Sequence, residues 1–140
     1  MKVLLAVDGS NYTKKMLAYL TTHEEFLAGD AEFTVLTVMP ALPARARAAV
    51  GKETVDAYYA DEAAKVLDPV VKFLTRHGLK IKTASKVGAA GETIAKVADA
   101  GKFDLLMMGS HGNSALGNLV MGSVATKVLA GCSVPVLLVR

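Results

Sequence analysis

The clearest fold signal is the stretch Val3-Leu4-Leu5-Ala6-Val7-Asp8-Gly9-Ser10. Its unbroken apolar run is typical of a strand buried on both faces, as in a parallel sheet covered by helices. Gly9 permits a tight turn after the strand, and Ser10 can accept a hydrogen bond from the first turn of a helix. The stretch therefore predicts a strand that leads through a short turn into a helix, which is how a βαβ unit begins.

Apolar runs and helical periods alternate along the rest of the chain in the same way. Strands are predicted at 3–7, 33–39, 80–87, 104–108 and 134–139, and helices at about 11–28, 55–77, 91–100 and 123–130. The prolines around residue 40 predict a loop from Ala41 to Thr54, and Pro69 predicts a kink in the second helix. This order indicates an α/β fold with a parallel sheet, and 140 residues suit one domain over 1–140.

Two of these strands carry the features of sheet edges. The segment 80–87 alternates polar and apolar residues, as a strand with one wet face does. Pro135 lies inside the last predicted strand, and proline is tolerated mainly on edge strands because it cannot donate to a neighbour. The strand from Val134 to Val139 is apolar, so an exposed edge there would promote aggregation. We expect a second copy of the chain to cover it, forming a homodimer.

Composition excludes several classes of protein. No apolar stretch approaches the roughly 20 residues of a membrane span, and no signal peptide precedes the first strand, so we expect a cytoplasmic protein without membrane contact. Cys132 is the only cysteine, which excludes an intrachain disulfide and a zinc site built from thiolates. The net charge of +3 comes from scattered basic residues, which does not favour binding to nucleic acid.

A glycine pattern follows the fourth predicted strand. Met108-Gly109-Ser110-His111-Gly112 is followed by Gly122-Ser123, which gives G-x2-G-x9-G-S where the last helix begins. Glycines allow the backbone to approach a phosphate, and the N–H groups at a helix start attract anions. Ligands of open α/β sheets lie beyond the carboxyl ends of the strands, where Asp8 is expected to face Gly109 across a crevice. The pattern predicts a nucleotide-binding loop.

Other interpretations of these residues are weaker. The glycines could serve only as turn residues, with Ser123 as a helix cap. A Walker A loop would require lysine directly after Gly122, and its absence does not support efficient phosphoryl transfer. No G-x-G-x-x-G follows the first strand, so a dinucleotide site is not expected. His111 has no orienting carboxylate nearby in sequence, which favours a hydrogen-bonding role within the loop over catalysis. We assign no catalytic residue and no metal ligand.

Together, Ala6–Ser10, Met108–Gly112, Gly122–Val124 and the closing residues 134–140 resemble the universal stress protein family in its ATP-binding branch. The resemblance implies a three-layer α/β/α domain of the adenine nucleotide alpha hydrolase-like type, with a parallel sheet in order 3-2-1-4-5. It implies a homodimer formed through the last strand. It also implies a nucleotide site, to which nine residues correspond: Ala6, Asp8, Val38, Met108, Gly109, Gly112, Gly122, Ser123 and Val124.

This chain departs from the family pattern in its charges. Many relatives carry basic residues after the second glycine and midway along the loop, where this chain has Asn113, Gly117 and Asn118. We therefore expect weaker triphosphate binding, or a shift from ATP toward AMP or ADP, with Mg2+ arriving only beside a triphosphate. The leading hypothesis is an ATP-binding stress-response regulator that acts on an unknown protein partner. The alternatives are a nucleotide-free dimeric interaction module and a slow ATPase.

Overall fold

A computed structural model describes residues 1–113 and 120–140, and it contains five strands and six helices within those ranges. The strands are β1 (Lys2–Ala6), β2 (Glu32–Met39), β3 (Ile81–Val87), β4 (Leu105–Gly109) and β5 (Val136–Val139). The helices are α1 (Asn11–Thr22), α2 (Glu24–Leu27), α3 (Ala44–Val50), α4 (Lys52–Arg76), α5 (Ala90–Ala100) and α6 (Ser123–Gly131).

The strands form one parallel sheet in the order β3-β2-β1-β4-β5, which confirms the predicted fold. Leu5 of β1 pairs with Val35 on one side and Met107 on the other, so β1 lies at the centre. Because all strands run the same way, their carboxyl ends meet at one edge of the sheet.

Alternate residues of β1 enter two separate cores. Val3 and Leu5 pack with the buried faces of α1 and α4, while Leu4 and Ala6 pack with α5 and α6. All four are at most 6% exposed, which explains why the run is apolar without a break. The domain therefore has three layers, with helices on both faces of the sheet.

Both predicted edges are confirmed, although Pro135 acts differently from the prediction. β5 begins at Val136, one residue after the proline. The carbonyl of Pro135 accepts a hydrogen bond of 2.9 Å from the Leu106 N–H, so the residue joins the sheet through its acceptor alone. At the opposite edge, β3 is mostly exposed, as its alternating sequence predicted.

The predicted helix 11–28 is interrupted at His23, whose backbone is extended. The hydroxyls of Thr21 and Thr22 donate to the carbonyls of Leu17 and Ala18, at 3.0 and 2.8 Å. Threonines that bind the preceding turn in this way weaken a helix end. The helix therefore stops at Thr22, and α2 forms one further turn.

The predicted loop from Ala41 to Thr54 was wrong, because it contains α3. Alanine and arginine dominate Ala44–Val50, and both are strong helix formers. Gly51, with a φ of 84°, separates α3 from α4. α4 begins at Lys52 and passes through the exposed Pro69 without ending. Among the helices of the described residues, none is long and apolar enough to cross a membrane.

The double-sided burial of β1 makes a testable prediction. Leu4→Ala should lower the free energy of unfolding by about 2–5 kcal/mol, because it opens a cavity beside a fully buried strand. Leu129→Ala, at a position 45% exposed, should cost less than about 1 kcal/mol. Urea unfolding measures both values, and equal losses would contradict the described packing.

Candidate functional site

A cavity lies at the carboxyl ends of β1, β2 and β4, and the starts of α5 and α6 close its side. Its water-accessible volume is about 170 Å³. All nine site residues predicted from the sequence line it: Ala6, Asp8, Val38, Met108, Gly109, Gly112, Gly122, Ser123 and Val124. The fold therefore brings together residues that are up to 118 positions apart in the sequence, as counted from Ala6 to Val124.

The carboxylate of Asp8 is held in place by the start of α1. Its Oδ1 accepts hydrogen bonds from the Ser10 N–H and the Thr13 hydroxyl, both at 2.9 Å. The Thr13 hydroxyl also accepts from the Asp8 N–H at 3.0 Å. The other oxygen, Oδ2, faces Gly112, where an added Cβ would lie 2.8 Å away. Asp8 and Gly109 line the same cavity, and the Oδ2 of Asp8 lies beside Gly112, the second glycine of the loop.

Packing explains two of the loop glycines. A Cβ at Gly109 would lie 2.5 Å from the Tyr12 Cβ and 3.1 Å from its carbonyl carbon, so β4 can approach α1 only with glycine there. A Cβ at Gly122 would lie 3.1 Å from the Cα of His111 and 3.2 Å from the Ser110 oxygen. These glycines are needed for the shape of the cavity as well as for any ligand.

The start of α6 points its backbone N–H groups toward the cavity. Gly122 is the cap residue, and glycine has no side chain that could accept from the first turn. The first three residues of the helix, Ser123, Val124 and Ala125, all line the cavity. The weaker interpretation, in which Ser123 is the helix cap, is wrong because Gly122 occupies that position. By contrast, α1 is capped by Ser10, whose hydroxyl accepts from the Thr13 N–H at 3.4 Å. The start of α6 is therefore suited to an anion.

The main chain of Val38 faces the same cavity. The last register pair of β1 with β2 joins Ala6 and Leu36, and the Val7 N–H donates to the Leu36 carbonyl at 2.9 Å. Met39 points its carbonyl the other way, to the Gly88 N–H at 2.9 Å. Because these directions alternate along a strand, the N–H and C=O of Val38 point toward the cavity, beyond the end of β1.

Several lining residues were not predicted. Ser110 and His111 lie in the loop after β4, and the Ser110 Oγ is 2.7 Å from the His111 Nδ1. Thr13 could have been found from its position three residues after the helix cap Ser10. Ala90, Ile94 and Ala125 come from helices whose packing gives no local sequence signal. Val7 was predicted in β1 but follows its last residue.

Charge is scarce in this cavity. Among the lining residues that the structure describes, Asp8 and His111 are the ionisable ones. The sequence from Gly109 to Gly122 contains neither lysine nor arginine. Gly117 and Asn118, singled out in the sequence, lie outside the described residues. Within residues 1–113 and 120–140 no group of three histidine, cysteine or carboxylate side chains could hold a metal ion. The described lining therefore offers an anion backbone N–H groups and hydroxyls but no lysine or arginine.

A family model described as the universal stress protein family matches residues 1–140. Universal stress protein Slr1230 of Synechocystis is 35% identical over 139 residues, which are 99% of this chain and 42% of that protein. The chain thus spans less than half the length of that relative.

Solved structures show the same fold. The structure of hypothetical protein MJ0577, a Methanocaldococcus jannaschii protein, has a TM-score of 0.82 and 27% identity, covering 99% of this chain and 94% of that one. A universal stress protein in complex with cAMP has a TM-score of 0.72 and 24% identity, covering 100% and 97%. A universal stress protein from Archaeoglobus fulgidus in complex with dAMP has a TM-score of 0.72 and 20% identity, covering 100% and 98%.

The contact between Gly109 and α1 gives a second testable prediction. Gly109→Ala should lower the free energy of unfolding by about 1–3 kcal/mol, because the new methyl group overlaps Tyr12. Gly131→Ala is the matched control, since its Cβ would meet Ala95 at an ordinary 3.6 Å. Thermal unfolding of both variants decides the point, and an unchanged Gly109→Ala protein would refute the close approach.

Proposed function

Because the chain belongs to the universal stress protein family, we propose that it binds an adenine nucleotide in the cavity at the carboxyl ends of β1, β2 and β4. The observation that carries the proposal is that two kinds of main-chain group line that cavity. They are the backbone of Val38 and the start of α6, whose cap residue Gly122 has no side chain. A ligand with a polar base and a phosphate would satisfy both.

The end near Val38 suits the base. Its N–H and C=O present a donor and an acceptor side by side, which matches the ring nitrogen and amino group of adenine. The surrounding side chains of Ile94, Met108 and Val124 are apolar and can pack on the faces of a ring. A flat base with hydrogen-bonding edges would therefore be held by contacts of both kinds.

Asp8 is placed to accept from the ribose. Its Oδ1 is already occupied by Ser10 and Thr13, which fixes the carboxylate and leaves Oδ2 toward the cavity. A carboxylate accepts hydrogen bonds from sugar hydroxyls and repels phosphate oxygens. Asp8 should therefore lie between the base and phosphate ends and orient the nucleotide.

The phosphate would bind at the start of α6, where backbone N–H groups and the helix dipole favour an anion. The Ser123 hydroxyl can add one donor. Without a lysine or arginine in the segment 109–122, each added phosphate gains little, so AMP or ADP should bind at least as well as ATP. Any Mg2+ would be carried in by a triphosphate.

Relatives of the same fold support this ligand class, since two of the solved structures are complexes with cAMP and dAMP. Those proteins are 24% and 20% identical to this chain, so they show that the fold accepts such ligands. The proposed contacts with the base, the ribose and the phosphate rest on the residues of this cavity.

The biological role we propose is that of a stress-response regulator in the cytoplasm. In this role, the bound nucleotide changes how the protein binds a protein partner. The described lining of the cavity contains no lysine or arginine to stabilise the transition-state charge, so turnover should be slow or absent. The competing function is an interaction module without nucleotide. It is favoured by the packing of Gly109 and Gly122, which accounts for two motif glycines without any ligand.

The homodimer expected from the sequence is also part of the proposal. Within the described residues, β5 pairs with β4 alone, through bonds that include Ser110 N–H to Val139 C=O at 2.8 Å. The outward groups of Val136 and Leu138 therefore form an open edge, and the four residues of β5 are apolar and half-buried. Such an edge favours pairing with the same strand of a second copy.

Ser123→Asp tests the nucleotide site. The new carboxylate at the start of α6 should weaken AMP binding about tenfold or more, because it repels the phosphate. It should not unfold the protein, since an acidic residue in the first turn stabilises a helix. Calorimetric titration with AMP measures the change.

Ser85→Asp is the control for that experiment, because it adds the same charge at an exposed position on β3. Its AMP affinity should equal that of the wild type. If the wild type gives no heat with AMP, ADP or Mg-ATP, and none shifts its melting temperature, the nucleotide-free module replaces this proposal. Steady phosphate release from ATP would instead establish an ATPase.

Sedimentation equilibrium tests the dimer. A pair of 14.7 kDa chains should sediment at twice that mass over micromolar concentrations. Leu138→Pro removes an outward N–H of β5 and should shift the protein toward monomer. A wild type that sediments as a monomer at every concentration would overturn the proposed edge pairing.

A further inference from the structure

We propose that the open edge of β3 binds an extended, acidic segment of a protein partner, which adds to the sheet as a sixth strand. Within the part of the chain that the structure describes, β3 is the first strand of the sheet order and pairs with β2 alone. Most of its residues are exposed. No residue of β3 lines the cavity, so the proposal does not depend on nucleotide binding.

The strand pairing identifies the backbone groups on the open side of β3. The Gly88 N–H donates to the Met39 carbonyl at 2.9 Å, and the residue in register with Met39 is Val87. In a parallel ladder, residues that bond to the neighbouring strand alternate with residues whose N–H and C=O point away. Residues of β3 at even positions therefore bond to β2, whereas Thr83 and Ser85 direct their donors and acceptors outward. An extended peptide can pair with such groups by strand addition.

The charge of β3 selects the kind of strand that can pair there. Ala84 packs in the core formed with α5 and α6, and Lys82 and Lys86 lie on the same face of the strand, two residues to either side. Both lysines are exposed. Among the described side chains neither lysine forms an ion pair. The sequence from 77 to 91 contains no carboxylate, so the positive charge of this edge is not neutralised by the strand or by the loops that flank it.

The spacing of the two lysines describes the partner segment. A rise of about 3.3 Å per residue separates Lys82 from Lys86 by about 13 Å, and an added strand lies about 4.8 Å away. Carboxylates at alternate positions of that strand would share the face of the lysines, where opposite charges across a strand pair attract. The other face of β3 presents Thr83, Ser85 and Val87, which are exposed and uncharged. The matching segment therefore alternates acidic and uncharged residues.

The same lysines disfavour a second copy of this chain at this edge. Pairing β3 with itself would place lysines near lysines, and like charges across a strand pair are destabilising. Lysine on an edge strand is a common device against such self-association. β5 contains no charged residue, and the homodimer is proposed there. The two edges of the sheet thus suit different occupants, so the chain can pair with a copy at one edge and with an acidic partner at the other.

The binding test uses a labelled peptide of about eight residues in which threonine and glutamate alternate, and its threonine–lysine counterpart. In fluorescence anisotropy titrations the acidic peptide should bind at least about tenfold more tightly than the basic one. Raising the salt concentration from about 0.05 M to about 0.5 M should weaken that binding. An acidic peptide with every backbone nitrogen methylated keeps its charges but cannot donate to the edge, so it should not bind.

Amide hydrogen exchange locates the peptide on the wild-type protein. The acidic peptide should slow exchange of the Thr83 and Ser85 N–H groups about tenfold or more, because they become hydrogen-bonded. The N–H groups of Ala84 and Lys86 already bond to β2 and should change little. This alternation is specific to strand addition, since a peptide held by charge alone would leave the exchange of all four N–H groups unchanged.

Charge reversal completes the test. Lys82→Glu/Lys86→Glu should bind the basic peptide in preference to the acidic one, and its AMP titration should match that of the wild type. Lys14→Glu/Lys127→Glu is the matched control, because it makes the same change at exposed positions on α1 and α6. It should bind the acidic peptide as the wild type does. The proposal is overturned if the acidic peptide does not bind, if its methylated form binds equally well, or if Thr83 and Ser85 stay unprotected.

Discussion

The parallel pairing of β1 with both of its neighbours is the constraint on which the rest of the structure depends. It aligns Ala6, the last residue of β1, with Leu36 and with Met108, so the carboxyl ends of the three strands lie at the same edge of the sheet. The chain must then leave each strand at the same edge, and helices α1 and α6 must start there. Their backbone N–H groups converge because the strands are parallel. The cavity is thus a consequence of sheet topology before any side chain is chosen.

Much of the fold and of the candidate site could be predicted from the sequence, because the sequence signals for strands, caps and edges are local. The apolar run of β1, the cap at Ser10 and the two edge strands are each encoded within a few residues. The nine predicted site residues reach one cavity because strand ends and a helix start locate them. The sequence did not predict α3, since the prolines before it obscured the helix-forming composition of Ala44–Val50. It also missed Ala90 and Ile94, which reach the cavity only through the packing of α5 on the sheet.

The loop glycines show why a motif alone does not define a ligand. The sequence pattern is the same whether glycine is needed for contact with Tyr12, as at Gly109, or for contact with a phosphate. Only the geometry separates these reasons. It assigns packing roles to Gly109 and Gly122, and it places Gly112 where an added Cβ would lie 2.8 Å from the Oδ2 of Asp8. The glycines of the motif therefore serve the packing of the fold as well as the site. Variants at Ser123 test the site more cleanly than variants at the glycines.

The scarcity of charge in the cavity bears on the kind of function it can perform. Phosphoryl transfer requires cations placed against the charge that develops in the transition state. Backbone N–H groups and one histidine can hold a phosphate, but they neutralise little of a triphosphate's charge. A cavity with so few charges is better suited to the proposed binding of a nucleotide than to its hydrolysis, and that argument connects the fold to the proposed regulatory role.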